Sequence, residues 1–420
     1  MWHSAVPVFL VCCGLFSLPL LAQPSPATRT LTHAQWREDL KRFATELPKR
    51  HKNAYHTVSR EEFQRAVADL DAAIPSLQDH QVIVRMMQIA AKVGDGHTGV
   101  HIPTSFTLYP ISVYWFGPEL RIIGANKDYA SVIGTRVMKI GTVDIDEVHQ
   151  RVRTLFPSAE NENDWYVMAT SPGFITRPEV LHSLGIVADR SPAPFTLIDD
   201  QGNQSTVMIG PVVPPQPING TIRLPAFLSV VNEEPLFRQR PQERFWYSHL
   251  PDSQTMYVSF RRYDGLGDKA RELSQAIDRS APKRLVIDLR QNGGGDFFEG
   301  RKHLVNPVKS RPVVNQKGRL FVIIGRRTFS AAMVNAIDFR KDTQATLVGE
   351  PIGERPNSYS ENDEMTLPNS RIVVSYSTRY YKFVDEDVPA VMPDQRIDPN
   401  WPDFRAGRDP VMEWILSQPH

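Results

Sequence analysis

A chain of 420 residues, 41% hydrophobic and 23% charged, has ordinary globular composition and is long enough for two or three domains. Its 48 Lys and Arg balance 47 Asp and Glu, so no global field argues for nucleic acid or an anionic membrane surface as a partner. The 34 prolines and 24 glycines predict many loops and edge strands, without a low-complexity tract or a fixed-period repeat.

The run from Ala5 to Ala22 is apolar and uncharged, and Gln23-Pro24-Ser25-Pro26 breaks it. Residues 1–22 therefore read as a secretory signal cleaved after Ala22, with export to the periplasm or the extracellular space. The n-region holds His3 but no Lys or Arg, and Leu20 is large for position −3. A retained anchor is the alternative, although Pro7 and Pro19 disfavour a stable spanning helix. Both cysteines, Cys12 and Cys13, lie inside this run. A mature chain without them has no disulfide, no thiolate metal site and no cysteine nucleophile.

Residues 23–99 read as a helical cap. Thr32 to Gln35 fits a capping box, with Trp36, Leu40, Phe43 and Leu47 following at helical spacing. Pro48 is expected to end that helix. Ser59 to Glu62 is a second capping box, and a third helix is expected from Asp79 to Val93. Residues 100–212 change to short β-branched and aromatic runs, "LYPISVYWF", "ELRIIGA", "RVMKIG" and "PFTLIDD", bounded by turn residues. An amphipathic helix, "TVDIDEVHQRVRTLF", lies among them. The run "KIGTVDIDEV" leading into it resembles half of a PDZ-like domain. "PVVPPQP" at 211–217 reads as a linker.

Residues 220–420 alternate strands and helices. "RLVIDLR" and "RLFVIIG" are near-continuous apolar runs, as buried parallel strands require. The class is α/β, and ligand sites in such cores lie beyond the carboxyl ends of the strands. "RQNGGGD" follows the first of these runs. Three glycines permit positive φ and close approach to a ligand. With no G-x-x-x-x-G-K-[ST] and no G-x-G-x-x-G present, the loop suits a transient oxyanion better than a nucleotide; a tight turn alone is the plainer reading. Ser330 stands where "RLFVIIG" gives way to helix "AAMVNAIDFR". A helix N-terminus favours negative charge and offers free N–H groups, yet serine is also a common structural cap, and the G-x-S-x-G elbow is absent. A serine nucleophile needs a base, and "VGDGHTG" presents His97 in a tight turn. His97 and His101 lack an H-E-x-x-H pattern or a third ligand nearby, so no metal site is expected.

Together, "VGDGHTG", "RLVIDLRQNGGG" and "TFSAA…LVGEP" resemble, in order and spacing, the tail-specific (C-terminal-processing) serine peptidases, and more closely their tricorn-like, secreted bacterial branch. The resemblance covers about residue 30 to the end. It implies a ClpP/crotonase-like spiral core carrying an N-terminal helical cap and a small, degenerate PDZ-like β-rich domain. It implies an exported serine endopeptidase with Ser330 as nucleophile and His97 as base, and an oxyanion hole made by Ala331 and by Gly294 or Gly295. An acid near "VDEDVPAVMPD", Asp387 or Glu386, would orient His97. Arg355 and Asn357 fall in the implied substrate-binding segment. Arg355 stands where the other branch uses a lysine; a guanidinium stays protonated and cannot be a base, which makes His97 necessary. The implied partner is a peptide or protein substrate, with no cofactor, no metal, no nucleic acid and no stable membrane insertion after signal cleavage. A homo-oligomer stays open, as does the alternative of a catalytically inactive peptide- or ligand-binding protein on the same scaffold.

Overall fold

The computed structural model describes residues 31–214, 228–231 and 233–419. The predicted signal and residues 215–217 of the predicted linker lie outside the described residues.

Both capping boxes form. Thr32 accepts from the Gln35 amide and Ser59 from the Glu62 amide, and each partner side chain accepts from the cap amide in return. The first helix, His33–Arg50, runs past Pro48. The proline stands in the last turn, where only one ladder bond is lost before the chain leaves the helix. Trp36, Leu40, Phe43 and Leu47 form its buried stripe. The third helix, Asp79–Ala91, leads into the loop that carries His97.

A seven-stranded antiparallel sheet follows, with the path Ile111–Phe116, Glu119–Ala125, Arg136–Ile140, Ala193–Ile198, Gln204–Ile209 and the short strands Val143–Asp144 and Leu228–Ser229 paired beside it. The amphipathic helix forms at Ile145–Arg153. Three short helices at Asp164–Thr170, Pro172–Ile175 and Pro178–Ser183 went unread, being too brief to show a period. One apolar cluster runs from Leu31 to Ile209 and takes in Met365, Leu367, Ile372, Val374 and Tyr376. The helical segment, the β-rich segment and a distant hairpin thus share one continuous core.

A second sheet has six strands, ordered Gln395–Arg396, Thr346–Gly349, Leu320–Ile324, Arg284–Asp288, Thr255–Phe260, Phe245–Leu250. All pairings are parallel except that of the last strand. Alternate residues serve opposite faces. Val258, Ile287, Val322 and Leu347 join one cluster; Tyr257, Val286, Ile323 and Val348 join another. Burial on both faces explains why these strands read as unbroken apolar runs.

The sequence reading also missed the long hairpin Asn357–Thr366 with Val373–Lys382, to which Gly99–Val100 adds antiparallel. Its first strand is largely solvated and charged over Ser360 to Glu364, so its alternation carries little apolar signal. Its turn is tied to the first helix by Asp39. That carboxylate is fully buried and accepts from the Asn369 and Ser370 amides at 2.8 Å each and from the Asn369 side chain at 3.0 Å. Asp39→Ala leaves the Asn369 and Ser370 amides unpaired, while the Asn369 side chain keeps Glu38 and the Gln35 carbonyl. It should cost roughly 2–4 kcal/mol, measured by urea unfolding; a loss under about 0.5 kcal/mol would contradict this clamp.

Candidate active site

Ser330 occupies the N-cap of the helix Ala331–Asp342, just beyond the strand Leu320–Ile324. Its side chain makes no capping hydrogen bond, and its backbone has φ 54° and ψ −126°. A non-glycine residue in this region is strained and is held by its surroundings. Ala331 through Phe339 are all buried, so the hydroxyl stands at the mouth of a helix inside the core. The structural reason for a serine here, capping, is therefore not the one in use.

Two stitches hold the glycine loop against it. Phe329 N–H donates to the Asn292 carbonyl at 3.0 Å, and Thr328 Oγ1 donates to the Leu289 carbonyl at 2.9 Å. Gly294 and Gly295 have φ of 108° and 153°. A methyl on Gly294 would lie 2.7 Å from Ser330 Cβ, and one on Gly295 would lie 2.5 Å from the Tyr263 ring. Glycine is required here for approach as well as for conformation. The Gly294 amide is spent on Asn292 Oδ1 at 3.0 Å. Among the described residues, the amides of Gly295 and Ala331 have no acceptor. Of the two glycines considered, Gly295 is thus the one with a free donor.

His97 lies between the helix Asp79–Ala91 and the strand Gly99–Val100. Its side chain is 7% exposed, and its ring stacks on Phe329 at 4.6 Å. Asp95 holds the turn, accepting from the His97 amide at 3.1 Å and the Ser377 hydroxyl at 2.7 Å. His51 Nε2 lies 2.9 Å from Asp95, while its Nδ1 accepts from the Asn53 amide. That assigns the proton to Nε2, so His51 donates to Asp95. Burial raises the Asp95 carboxyl, but His51 and Ser377 outweigh it and hold it below its usual range. Burial pushes the His97 imidazole down to about 4, with Asp95 pulling the other way, so the ring is neutral near pH 7.

Glu354 stands between the two residues. One of its oxygens accepts from the Ser330 amide; the other, Oε1, lies 3.7 Å from His97 Nδ1 and has no hydrogen-bond partner. The residue is 1% exposed. Burial, with Glu162 adding repulsion, pushes its carboxyl well above the usual range. Glu162, equally buried, is pushed up to about 7 by burial, against hydrogen bonds from the Asn163 and Arg355 amides. His97 Nε2 lies 3.4 Å from Ser360 Oγ, and among the described residues no hydrogen bond joins the ring to the Ser330 hydroxyl. Catalytic contacts are often long in substrate-free sites.

Asp387 and Glu386 are placed elsewhere. The Asp387 side chain is 74% exposed and pairs with Arg355 at 3.0 Å. Glu386 touches this region through its carbonyl, which accepts from Asn357. Arg355 is spent on Asp387 and the Glu160 carbonyl. Asn357 is fully engaged with the backbone of Phe383, Val384 and Glu386. The acid facing His97 is Glu354, beside the residue that sequence reading singled out; "GEPIGERP" shows it only as one more carboxylate. Glu162 and Ser360 carry no motif.

A strained serine at a buried helix start, a glycine loop packed on it and a neutral histidine nearby are the parts of a serine-type peptidase. Residues 254–397, which hold the loop and Ser330, match the model of the family described as Peptidase family S41. Over this segment the chain is similar to that peptidase family. No curated protein matches the sequence. Among solved structures, mature CPAF complexed with lactacystin is 12% identical over 91% of this chain and 97% of that one, with a TM-score of 0.59. Mature CPAF is 12% identical over 91% and 96%, with a TM-score of 0.58. At this identity the likeness is one of fold.

The raised Glu162 carboxyl makes a testable statement about stability. Its folded value, about 7, exceeds the unfolded one of about 4.3. Folding therefore loses stability as pH rises between those values, and none is lost below them. Glu162→Gln removes this term while keeping an acceptor oxygen. Its melting temperature should gain several degrees on wild type at pH 8 and little at pH 4.5. An equal change at both pH values would contradict the assignment.

Proposed function

We propose that the protein is an exported serine endopeptidase that cleaves peptide bonds with Ser330 as nucleophile and His97 as general base. The observation that carries this reading is the glycine loop packed on a strained Ser330, with the Gly295 and Ala331 amides free beside it. His97 takes the Ser330 proton, the alkoxide attacks the carbonyl, and the two amides receive the oxyanion. Glu354 takes the orienting role first assigned to Asp387 or Glu386, because its free oxygen faces His97 Nδ1. In this reading the six-stranded sheet is the ClpP/crotonase-like core, and residues 100–212 descend from a PDZ-like domain. Export rests on the apolar leader alone, and places the enzyme in the periplasm or outside the cell.

Casein and an ester substrate, tested in parallel on wild type and Ser330→Ala, check the reaction class. Both activities should vanish in the variant, and casein must be cleaved by wild type; ester turnover alone would point to a different hydrolase. His97→Gln should lose roughly 10²–10⁴-fold in kcat without unfolding. Retained activity would exclude His97 as the base.

The pH profile tests Glu354. His97 is neutral above about 4, so its own titration limits the rate only below that. A protonated Glu354 cannot stabilise the imidazolium, and its carboxyl titrates well above the usual range. The acid limb of kcat/KM should therefore follow Glu354. Glu354→Gln should lower the rate and move that limb down toward pH 4. A lowered rate with an unmoved limb would contradict the role.

A further inference from the structure

We propose that Ser360 is a positioning residue that holds the His97 ring off Ser330 until a substrate chain covers Ser360; this rests on the reading of Ser330 as nucleophile and His97 as base. A neutral imidazole has one acceptor nitrogen, which serves one donor at a time. Nδ1 of His97 faces Glu354 at 3.7 Å, so the nitrogen left to take the Ser330 proton is Nε2. That nitrogen is the one engaged by Ser360 Oγ, at 3.4 Å. Proton transfer from Ser330 therefore requires the Ser360 contact to break. A hydroxyl donates as well as accepts, so Ser360 satisfies Nε2 in either tautomer.

Both partners of this contact stand on held elements. The His97 turn is tied to one strand of the hairpin. Gly99 pairs with Ser375, the Ser377 amide donates to Thr98 Oγ1 at 3.2 Å, and the Ser377 hydroxyl donates to Asp95 at 2.7 Å. Ser360 stands on the other strand, opposite Arg379. Next to it the strand is distorted. Glu361 has φ 53°, and its pairing with Thr378 drops out of the register while the pairs on either side are kept. A glutamate in that conformation is strained and persists only where its surroundings hold it. The Thr378 hydroxyl donates to the Glu361 carbonyl, and Arg379 pairs with the Glu361 carboxylate at 2.9 Å. Phe329 stacks on the His97 ring at 4.6 Å and is itself stacked on Tyr166 at 5.6 Å. The stack covers one face of the imidazole and leaves its edge to be shared between the two serines.

The cavity in front of Ser330 supplies the release. It has a volume of about 600 Å³, and Ser330, Ser358 and Ser360 all line it. The strand that carries Ser360 is the outer strand of its three-stranded sheet, so no other strand among the described residues pairs with its far edge. An extended peptide that brings a carbonyl to Ser330 through this cavity covers Ser360 and offers it backbone partners. The Ser360 hydroxyl turns to the peptide, and Nε2 is freed for Ser330. A small molecule that reaches Ser330 without covering Ser360 meets a base that is engaged elsewhere.

The test is the rate at which a small alkyl fluorophosphonate, too short to cover Ser360, labels Ser330, with peptide mapping to locate the adduct. Ser360→Ala should label about 3- to 10-fold faster than wild type, as the loss of one competing hydrogen bond implies. Ser360→Thr keeps the hydroxyl and should stay within about 2-fold of wild type. A long peptide covers Ser360 in wild type, so its kcat/KM should gain less in Ser360→Ala than the labelling rate does. Labelling that is unchanged or slower in Ser360→Ala would overturn the proposal, as would an equal acceleration in Ser360→Thr or an equal gain for the long peptide. Nitrogen-15 NMR of His97 reads the contact without any reaction. Near pH 7 the Nε2 resonance of the substrate-free protein should move in Ser360→Ala and stay in place in Ser360→Thr. Should Ser330 label in no variant, the peptidase reading fails separately, and this resonance decides whether Ser360 holds the ring. A shift in Ser360→Ala alone supports it, and an unmoved signal overturns it.

Discussion

One buried carboxylate links the parts of this site. Glu354 accepts from the Ser330 amide with one oxygen and turns the other toward His97 Nδ1. Among the described residues no cluster of metal-ligating side chains forms around it, and no Lys or Arg pairs with it. Such a group is tolerable only if protonated or if a positive charge forms beside it. In the proposed mechanism, the imidazolium formed when His97 takes a proton is that charge. On that mechanism the cost of ionising the buried carboxyl falls at the moment of proton transfer, with little having to reorient.

The rest of the molecule brings three distant segments to this carboxylate. The parallel sheet ends its strands at one edge, which places the glycine loop after Arg284–Asp288 and Ser330 after Leu320–Ile324 side by side. The hairpin Asn357–Thr366 with Val373–Lys382 pairs with Gly99–Val100 and so draws the His97 turn onto the sheet domain. Asp95 fixes that turn from beneath, through His51 on the helical side and Ser377 on the hairpin. The shared apolar cluster makes the helical cap part of the site's foundation rather than an appendage.

Much of this was legible in the sequence. The parallel strands announced themselves as unbroken apolar runs because both faces are buried, and the capping boxes set the helix starts. Ser330, His97 and the glycine loop could be named from local pattern and from resemblance. What stayed hidden depends on tertiary contact. The hairpin is half solvated, so its alternation is weak. Glu354 and Glu162 look like surface carboxylates until burial is known. Asp387 and Glu386 looked right by spacing, but Asp387 is drawn to Arg355, and the Glu386 link to this region is its carbonyl. The choice between Gly294 and Gly295 turned on one side chain, Asn292, that occupies the first amide.

The most direct measurement is a crystal structure of the protein after reaction with a peptidyl phosphonate. The account predicts a covalent bond to Ser330 Oγ, a phosphonyl oxygen within hydrogen-bond distance of the Gly295 and Ala331 amides, and Glu354 against a His97 ring turned to Ser330. An adduct on another residue, or a phosphonyl oxygen pointing away from both amides, would contradict it.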